Sequence, residues 1–171
     1  MTAQIVQLLD VKRICVRPLR LSDVPGVQDF VRRLSAASRR ARFCASIREL
    51  PPAELARLAR SRGSVFVAET PDGCIVALGE YAAGDDAGSC EVALAVSDAW
   101  QDRGLGRLLM RELLQSASAS GIERAIVDVQ CGNDSMLALA RGCGFTTASG
   151  PHGWTMRRLV LELRGAALAA A

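Results

Sequence analysis

The sequence predicts a mixed α/β fold, one sheet with helices on its faces, and three observations predict it. Strand-like and helix-like runs follow the order β-α-α-α-β-β-β-α-β-α-β. Three of the strand runs are consecutive and joined by short turns, which marks antiparallel hairpins. No internal repeat, long linker or break in composition interrupts the 171 residues, a length that suits one domain. That domain is expected to span residues 1–171, with its core over 13–163 between a short N-terminal lead and an alanine-rich tail.

Each element has a local cause. "ICVRPLR" alternates as a strand, and in "LSDVPGVQDFVRRL" Ser22 is placed to cap a helix whose Val24, Val27, Phe30, Val31 and Leu34 recur at helical spacing. "SAASRRARF" and "PPAELARLARS" are two shorter helices, the second entered through Pro51 and Pro52, where a missing amide proton does no harm. "SVFVAET", the turn "PDG", "CIVALGEYAAG", the polar loop "DDAGS" and "CEVALAVS" form the run of three strands. "AWQDRGLGRLLMRELL" then passes into a helix with an apolar stripe of Leu105, Leu108, Leu109, Leu113 and Ala117. Gly121 can stop that helix, and "ERAIVDVQ" reads as a buried strand, so "CEVALAVS", helix and strand make a β-α-β crossover. "NDSMLALARGCGF" is a helix capped by Asn133 and ended near Gly142 or Gly144, and "WTMRRLVLEL" is the last strand.

Composition narrows the function. Half the residues are hydrophobic and only 4% aromatic, so the core is aliphatic and the chain is not disordered. The net charge of +3 is too mild to argue for nucleic acid. The cluster Arg32, Arg33, Arg39, Arg40 and Arg42 lacks interleaved aromatics to stack bases, with only Phe43 adjacent, and reads as a solvated helical face. The six cysteines form no CxxC pair and the single histidine, His152, lies in the glycine-rich turn "SGPHGW", so no metal is expected. No apolar run approaches the roughly 20 residues that span a bilayer, and the N-terminus lacks an apolar stretch behind a basic start. A cytoplasmic protein with reduced thiols, and neither nucleic acid nor membrane as partner, is the expectation.

The turn before the fourth predicted helix carries the chemistry. A helix N-terminus leaves amide protons unpaired and attracts anions. Gly104 and Gly106 remove side chains that would block approach to those amides, and Arg103 and Arg107 add positive charge at a spacing that costs the empty protein about 0.2–0.5 kcal/mol. A bound polyphosphate turns that cost into attraction. The nucleotide P-loop needs a lysine that is absent here, and the GxGxxG pattern fails because Leu109 stands where its third glycine belongs.

Gln101-Asp102-Arg103-Gly104-Leu105-Gly106 matches the Q/R-x-x-G-x-G/A signature of the GNAT superfamily of N-acetyltransferases, in the family's position after a strand and before a helix. "EVALAVSDAWQDRGLGRLLM", "GIERAIVDV" and "NDSMLALARGCGF" follow in the family's order, so the resemblance covers residues 13 to 163. "LSAASRRARF" and the strand glutamate resemble the acetyltransferase domain of bacterial protein lysine acetyltransferases. The resemblance implies a GNAT-type fold, with a mostly antiparallel sheet of about six to seven strands, about four helices, and acetyl-CoA as co-substrate in the cleft beside the fourth strand. It also implies that the pyrophosphate rests on the amides of residues 101 to 107, with Gln101, Arg103, Gly104, Leu105, Gly106 and Arg107 around it. Backbone groups of Leu94 and Val96 would pair with the pantetheine arm, and Asn133 would contact that arm besides capping its helix.

The implied reaction is transfer of acetyl to a primary amine, either a protein lysine or a small molecule, by direct attack. A non-catalytic CoA-binding module is the reading from another class. An alkylamine is neutral in only about one molecule in a few thousand at pH 7, so a base is required. Glu91 is the candidate by its alignment with the family's strand glutamate, and Glu80 and Asp128 are weaker ones. Amides near Leu94 to Val96 would stabilise the oxyanion. The helix after Asn133 lacks the tyrosine that many family members use as acid, and Tyr81 lies in an earlier strand, so water is expected to protonate the thiolate. Cys131 or Cys143 as a covalent carrier lacks a histidine to activate it. A basic rim at Arg39 and Arg40 beside the acceptor cleft would favour an acceptor with acidic groups. The C-terminal strand offers an edge for pairing two subunits.

Overall fold

The computed structural model describes residues 4–7, 13–61, 63–148 and 155–163. The order is β1 (Gln4–Gln7), β2 (Arg13–Pro18), α1 (Val24–Arg33), α2 (Ala36–Phe43), α3 (Pro52–Arg60), β3 (Val65–Glu69), β4 (Ile75–Ala83), β5 (Ser89–Val96), α4 (Leu105–Ala119), β6 (Arg124–Gln130), α5 (Asp134–Gly142), β7 (Thr146–Thr147) and β8 (Met156–Glu162). Short 3-10 turns precede α1 at Leu21–Asp23 and α4 at Asp98–Trp100. The strands form one sheet in the order β1-β2-β3-β4-β5-β6-β8-β7. Every neighbouring pair is antiparallel except β5 with β6, which α4 connects as the predicted crossover. The two-residue β7 and the N-terminal β1 bring the strands to eight.

Two cores sandwich the sheet. On one face Leu105, Leu109, Met110, Leu113 and Ala117 of α4, with Leu137 and Ala140 of α5, bury against Val92 and Val96 of β5 and Val127 and Val129 of β6. On the other face Val27, Phe30 and Val31 of α1 and Leu58 of α3 pack on Val65, Val67, Leu78 and Ala95. Burying each of these side chains stabilises the fold by about 1.5–3 kcal/mol, which is how helices this short persist.

Several local expectations change. Ser22 lies inside the 3-10 turn and does not cap α1, whose N-cap is Asp23. The carboxylate of Asp23 instead accepts from the Arg20 amide at 2.7 Å and from both terminal nitrogens of Arg17 at 2.6 and 2.9 Å, so an ion pair rather than a serine cap orders the entry. The last strand is not a bare edge, because β7 pairs with it at Leu159 and Val160. Trp154 and His152 lie outside the described residues.

The feature that positions the site is where β5 and β6 part. They pair over three residues only, Ser89 with Arg124, Cys90 with Ala125 and Glu91 with Ile126. Beyond Glu91, β5 stays with β4 as far as Val96, and beyond Ile126, β6 stays with β8 as far as Gln130. Each strand keeps its outer partner and loses the inner one, which opens a wedge in the middle of the sheet.

Candidate active site

The wedge is bordered by backbone on one side. Ser97 N–H donates to the Val76 carbonyl at 2.8 Å, and antiparallel ladders alternate, so the peptide groups of Leu94 and Val96 face away from β4 into the gap. The Val96 carbonyl already accepts from Gln101 Nε2 at 3.0 Å. Gln101 thus braces the strand with its side chain, while its loop leads on to α4.

At the mouth of the wedge stands the N-terminus of α4. Its hydrogen-bond ladder starts with Leu108 N–H on the Gly104 carbonyl at 3.1 Å, so the amides of Leu105, Gly106 and Arg107 have no partner within the helix. Gly104 sits at φ 83°, in the left-handed region that favours glycine, and as N-cap it offers no side-chain acceptor of its own. Gly106 serves packing: a Cβ there would meet Leu139 Cδ2 at 3.2 Å. The arginines are not the repelling pair expected from spacing. Arg103 precedes the helix and lies over the Trp100 ring at 5.8 Å, and Arg107 Nη1 donates to the Gly142 carbonyl at 2.8 Å, tying α4 to the end of α5. Asn133 caps α5 by accepting from Met136 N–H at 3.1 Å.

A network that the sequence reading missed links this loop to α2. Ser35 caps α2 by accepting from Ser38 N–H at 3.1 Å. Asp98 accepts from Ser35 N–H at 2.9 Å, from Ser35 Oγ at 2.6 Å and from Ser38 Oγ at 2.8 Å. Burial pushes the Asp98 carboxyl up, but the Ser35 and Ser38 bonds outweigh it and hold its pKa below the ordinary value. Gln101 Nε2 reaches Ser38 Oγ at 3.2 Å. The serine cap was visible in sequence; its partner 63 residues away was not.

The opposite face of the wedge carries side chains. Glu80 is opposite Ala93 and Glu91 is opposite Ala82, so both project from the face covered by α1, α2 and α3. Glu80 is buried, one oxygen held by Arg42 and the other by Arg57 Nη2 at 2.6 Å. Asp128 takes both prongs of Arg158 at 2.9 and 2.6 Å. Glu91, 51% exposed, accepts no hydrogen bond among the described residues, and its nearest cation is Arg158 Nη2 at 3.8 Å. A cleft of about 420 Å3, which Glu91 does not line, is bordered by Cys44 after α2, Gln130 and Cys131 after β6, and Thr155 and Met156 at the start of β8.

The sequence profile described as the Acetyltransferase (GNAT) family matches residues 31–145. An acetyltransferase of Pseudomonas aeruginosa is 33% identical over 160 residues, covering 89% of this chain and 86% of that protein. The chain belongs to the GNAT acetyltransferase family. Family members use acetyl-CoA as co-substrate. Two solved structures share the fold: the GNAT domain of S. lividans PAT, with TM-score 0.85 and 24% identity over 94% of this chain and 96% of that one, and a protein of Salmonella typhimurium solved with its cofactor acetyl-CoA, with TM-score 0.70 and 19% identity over 88% and 94%.

The GNAT co-substrate fits what this chain offers. Three helix amides without helical partners, a glycine N-cap and two flanking guanidinium groups suit a diphosphate, and the wedge presents to an amide-bearing arm the peptide groups of Leu94 and the Val96 amide, the Val96 carbonyl being held by Gln101. Other expected players stand apart. Tyr81 OH bonds to Ser116 of α4 and to Ser120, its C-cap, at 3.2 Å each, on the face away from Glu91. Burial raises the Cys143 thiol pKa, which keeps it protonated and unsuited to carry acetyl. Arg39 donates to the Leu34 and Arg32 carbonyls at the end of α1, and the exposed Arg40 reaches Ser46 Oγ at 3.4 Å, so both carry their charge at the surface of α2. No described helix is long and apolar enough to cross a membrane.

Proposed function

We propose that this GNAT acetyltransferase moves acetyl from acetyl-CoA to a primary amine by direct attack, with Glu91 as the base, and that the acceptor is a lysine side chain. One observation carries the base assignment. Of the three carboxylates Glu80, Glu91 and Asp128, Glu80 and Asp128 have both oxygens hydrogen-bonded by arginines, and Glu91, at the residue where β5 and β6 separate, accepts no hydrogen bond among the described residues and has Arg158 at 3.8 Å. The lysine reading is supported by the resemblance of "LSAASRRARF" and the strand glutamate to the acetyltransferase domain of bacterial protein lysine acetyltransferases, beside a fold shared with the GNAT domain of S. lividans PAT. A small-molecule amine is the second reading, since the cleft volume alone accommodates one.

In the proposed mechanism Leu105, Gly106 and Arg107 bind the diphosphate through their amides, and Leu94 and Val96 orient the acyl arm along the open edge of β5. Acetyl-CoA supplies the activated acyl carbonyl and a thiolate leaving group. Glu91 takes the proton that the acceptor ammonium must lose, directly or through water, because at pH 7 only about one lysine in a few thousand is neutral. Amides on the open edge of β5 would stabilise the negative charge that grows on the thioester oxygen. As the tetrahedral intermediate collapses its nitrogen sheds the second proton to water and water protonates the departing sulfur, so that one proton is released overall. The domain acts as a single unit over residues 1–171.

The test is release of CoA thiol from acetyl-CoA by purified protein against lysine-bearing proteins and peptides in one arm and small primary amines in the other. Faster release with lysine-bearing acceptors is expected. Release confined to small amines overturns the lysine reading. Calorimetric binding of acetyl-CoA with no release in either arm replaces the enzyme reading with that of a binding module.

A further inference from the structure

We infer that Asp128 is a positioning residue whose task is to hold Arg158 away from Glu91. The inference rests on the reading of Glu91 as base. The register places all three side chains on one face of three adjacent strands: Asp128 is directly opposite Arg158, and it lies two residues along β6 from Ile126, the partner of Glu91. Arg158 therefore spans the wedge just past the last β5–β6 pair.

The geometry shows an arginine shared unequally. Nε and Nη2 of Arg158 form a two-pronged bond to Asp128, at 2.9 and 2.6 Å, which is the strong, directional arrangement for a guanidinium and a carboxylate. The same Nη2 is 3.8 Å from Glu91 Oε1, close enough for charge attraction and too far for a hydrogen bond. Asp85, in the turn after β4, also acts on Arg158 by charge alone. Glu91 thus has a fixed positive charge behind it while its oxygens stay open to the acceptor. A carboxylate gripped by that fork would be as saturated as Glu80, and the acceptor amine would have to displace an arginine to reach it.

Neutralising Asp128 leaves Glu91 as the nearest full carboxylate to Arg158, and the fork closes on it. The consequence is a rescue that loss of structure cannot produce. Asp128→Asn is expected to lower acceptor kcat/KM by about tenfold or more, with the acetyl-CoA Kd from calorimetry unchanged. Arg158→Gln alone is expected to cost about threefold, as an exposed charge contact does. The double variant Asp128→Asn/Arg158→Gln is expected to return to within about threefold of Arg158→Gln, a coupling of opposite sign to simple addition. A double variant as slow as Asp128→Asn overturns the inference. Should Asp128→Asn fail to fold, Asp128→Ser alone and with Arg158→Gln gives the same comparison. Glu91→Gln keeps the two readings apart. Wild-type turnover in Glu91→Gln removes the base assignment and this inference with it, whereas a slow Glu91→Gln beside an unrescued double variant removes only the inference.

Discussion

Glu80 and Glu91 stand in one β-ladder, on one face, eleven residues apart in sequence, and their surroundings give them opposite tasks. The Glu80 side chain is 11% exposed and held on both oxygens by Arg42 and Arg57, while that of Glu91 is 51% exposed and accepts no hydrogen bond among the described residues. A carboxylate taken out of water must be paired, and once buried between two guanidinium groups it is held in its charged form and shielded from an incoming substrate. The comparison teaches that occupancy, rather than residue type or strand position, separates the catalytic candidate from the brace. Glu80 joins α2 and α3 to β4, and Arg57 in turn holds Glu54 at 2.6 Å, keeping the Glu54 carboxyl below its usual range.

The largest expected effect breaks the brace. Glu80→Ala strands Arg42, whose side chain is itself only 11% exposed, and should cost about 3–5 kcal/mol of stability in urea melts. Turnover per folded molecule should survive. If instead stability is unchanged and turnover vanishes, the roles of the two glutamates are reversed.

A second variant sharpens the contrast between the backbone side of the wedge and its side-chain side. Gly104→Ala places a Cβ at φ 83° and should cost about 1–2 kcal/mol. Its kinetic signature should be a raised KM for acetyl-CoA with the transfer step nearly intact. A fall in kcat without a change in acetyl-CoA affinity would contradict the division of labour.

Ser35→Ala removes the cap of α2 and one donor to Asp98, and should cost about 1 kcal/mol. Thermal melts read that loss, and an unchanged midpoint would show that the α2 junction does not depend on the cap. The smallest effect is one of pH. Asp98 has a lowered folded pKa, so its contribution is fully present above the unfolded carboxylate value of about 3.9 and is lost as pH falls through the lower folded value. Urea midpoints at pH 7 and pH 3 should differ less in Asp98→Asn than in wild type. Equal differences would remove Asp98 from the acid sensitivity.

What the sequence disclosed follows the same division. The element order, the crossover, the stripe of α4 and the glycine turn are local patterns, so periodicity and spacing reveal them. The edge strand at Gln4–Gln7 and the two-residue β7 carry too little pattern to be called. The pairings of Glu80 with Arg42 and Arg57, and of Arg158 with Asp128, join residues 23 to 38 positions apart on separate elements, and nothing local marks them. Arg103 and Arg107 show the reverse error. Their spacing predicts mutual repulsion, but Arg103 precedes the helix, and each guanidinium finds its own partner in Trp100 or the Gly142 carbonyl. Glu91 was identifiable by resemblance, whereas the reason it is available, that its neighbours are occupied, is a property of the folded face.

Single-turnover transfer with acetyl-CoA already bound isolates the proton-removal step from binding, and Glu91→Gln is the variant to put through it. An acetyl-CoA Kd within about threefold of wild type and a transfer rate lower by about 10²–10⁴-fold are expected. Transfer by the bound variant at the wild-type rate would contradict the base assignment.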